Sequence, residues 1–546
     1  MSDTGQGTSA PTDREPVLEV RDIQGLVVPG FLKPRQTLLG IRIADESQEV
    51  VLNFKELLRS LVDEEIVATA MKTLKNRKEY RRERRRQKTR HPKGAPRAAL
   101  VGIGFSFAGL RKLAPDAEGF PGEAFRRGLA ARSALLGDPT DPKAEGHPSQ
   151  WIVGKPGDEM DALIVVAGDD RAEVEDRVSD IRSRLEATGV GVNYRENGDR
   201  RSDLVGHEHF GFFDGISQPG VRGYTSEARD EFITARWIST DQKPEAWLYG
   251  RPGEDLVWPG EFILGYQKTS PDPLVPGPVA PAVPEWTRNG SFLVFRRLRQ
   301  DVGLFWRTMR DEAARLKDLP GFEDMTENRL AALLVGRWPS GAPVNRVPGE
   351  DNPDLGKTDW ANNYFRFDSD TSGLPLVNQY SDNFPMAKAD PAGLTCPWAA
   401  HIRKVNTRDS GSDMGGRETT YKSRILRRGI SFGEPLEDRY ADGSSDPEDG
   451  NRGLLFQCVQ SSIESQFEFL MARWANDPVR PKMPGGHDML IGQNGQEGEG
   501  RVRRCTLFGK GLQQAEVETN MEWVIPTGGG YFFVPAISAL RDVIGV

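Results

Sequence analysis

An aspartate next to phenylalanines and glycines occurs in the stretch GHEHFGFFDGISQPG, residues 206–220. Asp214 follows Phe212 and Phe213 and precedes Gly215. A carboxylate placed against apolar rings is costly to bury unless it has partners, and its neighbours then set its pKa. Such a group can accept and return protons during catalysis. The pattern predicts a catalytic acid, although a G-x-x-D-G match is weakly specific in a chain with 59 glycines.

The chain has six histidines, and His401 differs from the others in its surroundings. In TCPWAAHIRKV, Pro397 can occupy the first turn of a short helix that displays His401 beside small alanines, which leave room for a flat, bulky group. A buried structural histidine is the alternative. His207 and His209 form an H-x-H pair, but no further ligand follows at zinc-site spacing.

The third candidate is Arg427 in RILRRGISFG. The segment is predicted to be a strand, on which Arg427 shares a face with Gly429 and projects over open space beside it. An arginine on the exposed edge of a sheet is the alternative interpretation. An arginine that faces a ligand could stabilise negative charge that develops in a reaction.

The elements that would position these residues follow one order twice. Apolar runs and helical periodicity predict the order strand, helix, strand, strand, helix, strand in each half. This order predicts an α+β protein with two ferredoxin-like units, each an antiparallel sheet with helices packed on its outside. The predicted segments are strands at 39–45, 98–107, 161–168, 190–197, 291–298, 424–432, 453–460 and 531–535, and helices at 54–88, 170–187, 301–316 and 463–475.

Proline and glycine content sets the predicted domain boundaries. A polar tail, residues 1–16, is predicted to be disordered, and six prolines in 270–285 predict an extended connector. The N-terminal domain is therefore placed at 17–285 and the C-terminal domain at 286–546. A segment at 320–420, rich in glycine, proline, asparagine and aspartate, is predicted to be a long loop with a functional role.

Composition excludes several classes of protein. A net charge of −8 argues against a nucleic-acid-binding protein, and no apolar run is long enough to span a membrane. The chain shows no signal peptide or twin-arginine signal, so a cytoplasmic location is expected. The three cysteines fit neither a zinc site nor a disulfide pattern. The basic segment at 75–93 is interpreted either as a solvated helix end or as a docking surface for an anionic partner.

Five ordered motifs resemble the dye-decolorizing peroxidase family: GFFDGISQPG, LLVGRWPSGAPV, CPWAAHIRKV, RILRRGISFG and GLLFQCVQSSIESQFEFLMARWANDP. The resemblance runs from near residue 22 to near residue 541. It implies two ferredoxin-like domains of the dimeric α+β barrel type. It also implies one haem b per chain, bound between the sheet and the helices of the C-terminal domain.

The resemblance also implies roles for individual residues. His401 would be the proximal ligand of the haem iron, Asp214 the distal acid and Arg427 the distal arginine. The apolar distal wall would include Leu454 and Phe456, with Gly429 beside Arg427. The family pairs its proximal histidine with a carboxylate, and either Glu468 or Asp488 could be that partner.

The function implied is the oxidation of bulky dyes, phenols or lignin-like compounds by hydrogen peroxide through a ferryl intermediate. A protein that carries haem or porphyrin, or removes the iron, is the first alternative. A docking protein that uses the basic segment and binds no haem is the second. Hydrogen peroxide and aromatic reductants are the expected partners, without membrane or nucleic acid, and a homo-oligomer is compatible with the sequence.

Overall fold

The computed structural model describes residues 15–88, 98–229, 231–238, 244–370, 384–441, 450–493 and 501–546. Most of the predicted N-terminal tail and residues 89–93 of the basic segment therefore lie outside the described residues. The predicted disorder does not extend to Glu15. This side chain is buried and forms ion pairs of 3.0 Å with Arg222 and 2.6 Å with Arg236, because two guanidinium groups compensate its burial.

Four strands of the N-terminal half form an antiparallel sheet in the order β2-β3-β1-β4. Strands β2 and β3 are buried on both faces, as their aliphatic sequences require, and helix α1 packs an apolar stripe against the sheet. The elements of this half are β1 (Arg35–Arg42), α1 (Gln48–Asp63), α2 (Ala70–Gln87), β2 (Leu100–Phe105), α3 (Phe107–Leu113), α4 (Glu123–Arg127), β3 (Ala162–Gly168), α5 (Arg171–Thr188) and β4 (Gly191–Asp199).

Short strand pairs follow between the halves. A two-residue parallel pair joins β5 (Gly220–Val221) to β6 (Leu256–Val257), and an antiparallel pair joins β7 (Gln267–Thr269) to β8 (Pro276–Val279). The proline-rich segment is thus not only a connector, because it contains β8, in which Pro276 and Val279 pair with residues of β7. Proline is compatible with this edge position, where its missing N–H is not needed.

The C-terminal half repeats the arrangement in the order β15-β9-β12, with β10 and β11 both paired to β12. Its elements are β9 (Ser291–Gln300), α6 (Val302–Lys317), α7 (Glu327–Val335), α8 (Pro353–Lys357), α9 (His401–Lys404), α10 (Arg417–Tyr421), β10 (Leu426–Arg427), β11 (Ile430–Phe432), β12 (Gly453–Gln460), a helix at Ile463–Ala475, β13 (Arg503–Phe508), β14 (Gln514–Thr519), β15 (Val524–Val534), α11 (Ile537–Ala539) and a final turn at Leu540–Ile544.

The two halves join through β15 and β2, where Phe533 pairs with Phe105. Gly104 permits this approach, because a Cβ there would lie 3.2 Å from the Cβ of Phe532. In both halves the first and third strands are central, and the fourth strand lies next to the first. The predicted α+β fold with two ferredoxin-like units is confirmed.

One predicted helix and one predicted strand are each divided into two elements in the structure. The helix predicted at 54–88 is divided into α1 and α2, since Glu65 adopts a left-handed conformation with φ of +53° and Thr69 caps the start of α2. The strand predicted at 424–432 is divided into β10 and β11. The break falls at Arg428 and Gly429, so the alternation of side chains assumed across it does not hold.

The segment at 320–420 was predicted to be a loop, yet α7, α8, α9 and the start of α10 lie within it. Helix α7 ends at Gly336, whose φ of +90° closes the helix with a left-handed residue. Helix α9 starts at His401 itself, so Pro397 does not form its first turn as predicted. Among the described residues, none of the helices has the length and hydropathy needed to cross a bilayer.

Candidate active site

A cavity of about 330 Å³ collects the three candidate residues. The apolar part of its wall includes Leu298 of β9 and Leu454 and Phe456 of β12. Asp214 reaches it from the loop after β4, and His401 and Arg427 reach it from the C-terminal half. Residues separated by almost two hundred positions therefore meet at one site because the two halves pack together.

His401 is held by a buried carboxylate. Its Nδ1 lies 2.7 Å from Oδ2 of Asp488, which is fully buried, so the ring donates Nδ1–H and presents Nε2 as its other nitrogen. The second Asp488 oxygen accepts the backbone N–H groups of Leu490 and Ile491 at 3.0 and 3.1 Å. Burial opposes a charged imidazole, but Asp488 outweighs it and raises the pKa of His401.

The sequence analysis left open whether Glu468 or Asp488 is the carboxylate that contacts His401. Asp488 contacts His401, whereas Glu468 accepts hydrogen bonds from Nε of Arg132 at 2.8 Å and from the Tyr531 hydroxyl at 3.0 Å. Glu468 is therefore committed to an internal ion pair. It does not contact His401.

Asp214 and Arg427 form a pair. Nη1 of Arg427 donates to Oδ1 of Asp214 at 3.0 Å, and the Gly215 N–H donates to the same oxygen at 2.6 Å. The Asp214 side chain lies deep in the protein but exposes 44% of its surface, toward the cavity that it lines. Burial opposes its ionisation, yet the charge of Arg427 and these hydrogen bonds outweigh burial and hold the pKa of Asp214 below its ordinary 3.8.

Two residues that the sequence analysis did not single out hold this pair in place. Gln218 brackets the Arg427 backbone, accepting its N–H at 3.2 Å and donating to its carbonyl at 3.1 Å. Glu208 accepts the N–H groups of Phe210 and Phe212 at 2.8 and 2.9 Å, which folds the loop that carries Asp214. Gln218 lies inside the GISQPG motif, so its position could have suggested a role. Glu208 gave no signal beyond an acid between two histidines.

Gly429 is not part of the cavity wall. A Cβ at this position would lie 2.9 Å from the carbonyl oxygen of Leu455, so the residue faces the backbone of β12 and not open space. The prediction that Gly429 leaves room for a ligand is wrong, because the break between β10 and β11 turns it toward the neighbouring strand. Leu454 and Phe456 do line the cavity, as predicted.

The two histidines of the H-x-H pair, His207 and His209, contact backbone carbonyl oxygens. Nε2 of His209 lies 2.8 Å from the carbonyl oxygen of Phe432, and Nδ1 of His207 lies 3.3 Å from that of Val205. In the part of the chain that the structure describes, no group of three or more His, Cys, Asp or Glu side chains could hold a metal ion.

Buried cations form another part of the cavity wall. Arg337 and Arg408 both line the cavity, are at most 8% exposed, and donate to Oδ1 of Asn363 at 3.1 and 2.6 Å. Within the described residues neither forms an ion pair with a carboxylate. Burial, followed by repulsion from Arg408, lowers the pKa of Arg337 to about 9. Both guanidinium groups are thus held by backbone and amide oxygens, with no carboxylate in direct contact among the described residues.

Apolar walls, a histidine with a carboxylate partner and an aspartate–arginine pair together indicate a haem-peroxidase type of site on an α+β fold. Residues 22–202 match the family model of the DyP dimeric alpha+beta barrel domain. A dye-decolorizing peroxidase of Mycena epipterygia is 30% identical over 460 residues, which cover 81% of this chain and 76% of that protein. The chain belongs to the dye-decolorizing peroxidase family and is a haem-dependent peroxidase that acts on hydrogen peroxide.

Solved structures agree with this assignment. The structure of an ancestral D-type dye-decolorizing peroxidase has a TM-score of 0.72 and 29% sequence identity, and the match covers 97% of this chain and all of that one. A deferrochelatase of Shigella flexneri is 26% identical over only 175 residues, which cover 32% of this chain and 28% of that protein.

Proposed function

We propose that the cavity binds one haem b, with Nε2 of His401 as the iron ligand, and that the enzyme oxidises bulky aromatic reductants such as dyes, phenols and lignin-like compounds. The observation that carries the proposal is the presence of two differently equipped polar groups in one largely apolar cavity. His401 has its Nδ1 proton fixed by Asp488, while Asp214 and Arg427 form a polar pair that shares the same cavity.

The other lining residues fit this cofactor. Haem b combines an apolar macrocycle with two carboxylates, and Arg337 and Arg408 supply buried positive charge that no carboxylate contacts directly among the described residues. Burial lowers the pKa of both guanidinium groups, so an anionic group bound at this wall would be stabilising. Leu298, Leu454 and Phe456 offer an apolar surface to the ring.

When bound, haem supplies the iron at which peroxide is reduced and the capacity to hold two oxidising equivalents. Asp488 keeps the proton of His401 on Nδ1 and makes the imidazole a stronger electron donor. Asp214, ionised by its contact with Arg427, takes the proton from one oxygen of hydrogen peroxide and returns it to the oxygen that leaves as water. Arg427 stabilises the negative charge that develops between the two oxygens.

A protein that carries haem or removes its iron is the alternative, and the partial deferrochelatase match is its support. Such a protein would need the histidine and the arginine wall but not the Asp214–Arg427 pair. The ionised acid beside an arginine in the same cavity favours peroxide activation. A docking protein that binds no haem would leave the cavity without a role.

An absorption spectrum of the purified protein tests the proposal. We expect a Soret band before peroxide is added, a rapid change of that band with one equivalent of hydrogen peroxide, and its return after an aromatic reductant is added. A Soret band that peroxide changes only slowly would favour the haem-handling alternative. Absence of any Soret band after incubation with haem would contradict both.

Asp214→Asn is expected to retain haem but to slow peroxide activation by roughly 10²- to 10⁴-fold, the usual contribution of a positioned acid–base group. The pKa of Asp214 lies below 3.8, so the wild-type carboxylate stays ionised down to acidic pH and activation should fall only as the pH drops through that pKa. Stopped-flow measurement at several pH values should show that the variant loses this acid limb.

The control for this prediction is Asp203→Asn, which removes an exposed carboxylate of the same loop that pairs with Arg201. It should leave the rate and its pH profile unchanged. If Asp214→Asn activates peroxide almost as fast as the wild type at every pH, Asp214 only stabilises the turn, and Arg427 with a water molecule would be sufficient.

A further inference from the structure

One surface outside the cavity combines an exposed indole with several arginines. Trp237 is 41% exposed, and Cζ of Arg251 lies 5.5 Å from the centre of its ring. The segment that carries Trp237 is tied to helix α2 by an ion pair between Glu231 and Lys78. We call Trp237, Arg251 and the nearby Arg77 and Arg81 of α2 the Trp237 patch.

The Trp237 patch has an excess of positive charge. Arg77 and Arg81 are four residues apart and therefore lie on the same face of α2. Neither forms an ion pair or a side-chain hydrogen bond within the described part of the chain, while Glu254 is occupied by Arg251 at 3.0 and 3.1 Å. Burial, followed by repulsion from Arg81 and Arg251, lowers the pKa of Arg77 to about 10. A bound anion would relieve this repulsion.

We propose that the Trp237 patch binds aromatic anions, meaning flat rings that carry a sulfonate or carboxylate group, as a docking site for reducing substrates. The indole can stack on such a ring, and the guanidinium groups can hydrogen bond its anionic substituent. That the bound aromatic anion is a reducing substrate rests on the proposed function. A single exposed indole accommodates one ring, whereas single-stranded nucleic acids are bound by series of stacking residues.

The position of the patch supports this role. Arg251 precedes Gly253 and Asp255, and both of these residues line the cavity. Arg417 and Arg424 fix this segment through ion pairs of 2.8 and 2.9 Å with Asp255. A molecule bound at the Trp237 patch therefore lies on the outer part of a segment whose inner part forms the cavity wall.

Calorimetric titration of the holoenzyme with naphthalene-1,5-disulfonate, which is not a peroxidase reductant, tests binding without turnover. We expect saturable binding of one molecule, weakened about fivefold or more in the double variant Arg77→Gln/Arg81→Gln and also in Trp237→Leu. The matched control is Arg82→Gln/Arg86→Gln, which removes the same charge from α2, with Arg86 on the opposite side from Arg77. This control should bind within twofold of the wild type.

Equal weakening in the two double variants would overturn the proposal, since net charge alone would then explain binding. Full displacement of the disulfonate by a tenfold lower concentration of a short oligonucleotide would also overturn it, in favour of a nucleic-acid site. In steady-state assays, Arg77→Gln/Arg81→Gln should raise KM for a sulfonated aromatic reductant several-fold and leave kcat and the KM for a neutral phenol unchanged. Because the disulfonate titration needs no peroxide, its failure is separate from failure of the proposed peroxidase function.

Discussion

His401→Ala is expected to lose most of its haem during purification and to lose peroxidase activity with it. Among the described residues, His401 is the only histidine that lines the cavity, and a buried carboxylate fixes its Nδ1. Removing it leaves Oδ2 of the buried Asp488 without the donor that His401 supplies. Because haem stabilises the native state by mass action, the melting temperature of the variant should also fall toward that of the haem-free wild type.

The ratio of Soret absorbance to protein absorbance, together with thermal unfolding, measures both effects. His487→Ala is a suitable control, because His487 is also buried near Asp488 but its Nδ1 accepts the N–H of Arg504 at 3.2 Å and it does not line the cavity. That variant should keep its haem. A His401→Ala protein with the wild-type ferric spectrum and full activity would show that the ligand has been assigned to the wrong residue.

Arg427→Leu is expected to bind haem normally and to activate peroxide at least 10²-fold more slowly. A positioned donor to a developing negative charge is usually worth a few kcal/mol in the transition state. The substitution also removes the cation that keeps Asp214 ionised, so the pKa of Asp214 should rise and the acid limb of the rate profile should move to higher pH. Arg427→Lys should recover only part of the rate, since lysine keeps the charge but loses the planar fork that reaches both Asp214 and Ser217.

Stopped-flow mixing with peroxide measures these rates. The neighbouring arginines serve as controls because they are engaged elsewhere: Arg424 pairs with Asp255 at 2.9 Å, and Arg428 donates to the carbonyl groups of Leu26 and Val27. A haem-retaining Arg428→Leu protein should activate peroxide at close to the wild-type rate. Wild-type rates in Arg427→Leu would instead transfer the role to Arg424 or Arg428.

The sequence predicted structure and site residues best where the signal lies in neighbouring residues of the chain. The order of strands and helices predicted the ferredoxin-like units because aliphatic runs such as those of β2 and β3 are buried whatever surrounds them. Asp214, His401 and Arg427 were singled out from short motifs. Local sequence could not choose between Glu468 and Asp488, since the contact with His401 spans 87 positions and depends on tertiary packing.

Gly429 shows where prediction from local sequence failed. Alternation along a strand predicts side-chain direction only while the strand is continuous, and the interruption at Arg428 and Gly429 reverses the expected face. The sequence also left two interpretations open for the basic helix α2, a solvated helix end or a docking surface. Its arginines could be recognised as a charged surface from the sequence, but Trp237 lies more than 150 residues away from them. Only the folded chain brings the indole to the arginines.

Because the two halves share one cavity, the proposed activity depends on how the halves pack together. His401, Asp488 and Arg427 all come from the C-terminal half, while Asp214 follows the last strand of the N-terminal sheet. In a molecule whose halves were not docked, Asp214 would be separated from Arg427, with which it forms an ion pair of 3.0 Å. Such a molecule would have no acid to move the peroxide proton. The proposed activity therefore depends on the contacts between the halves as well as on the residues of either half.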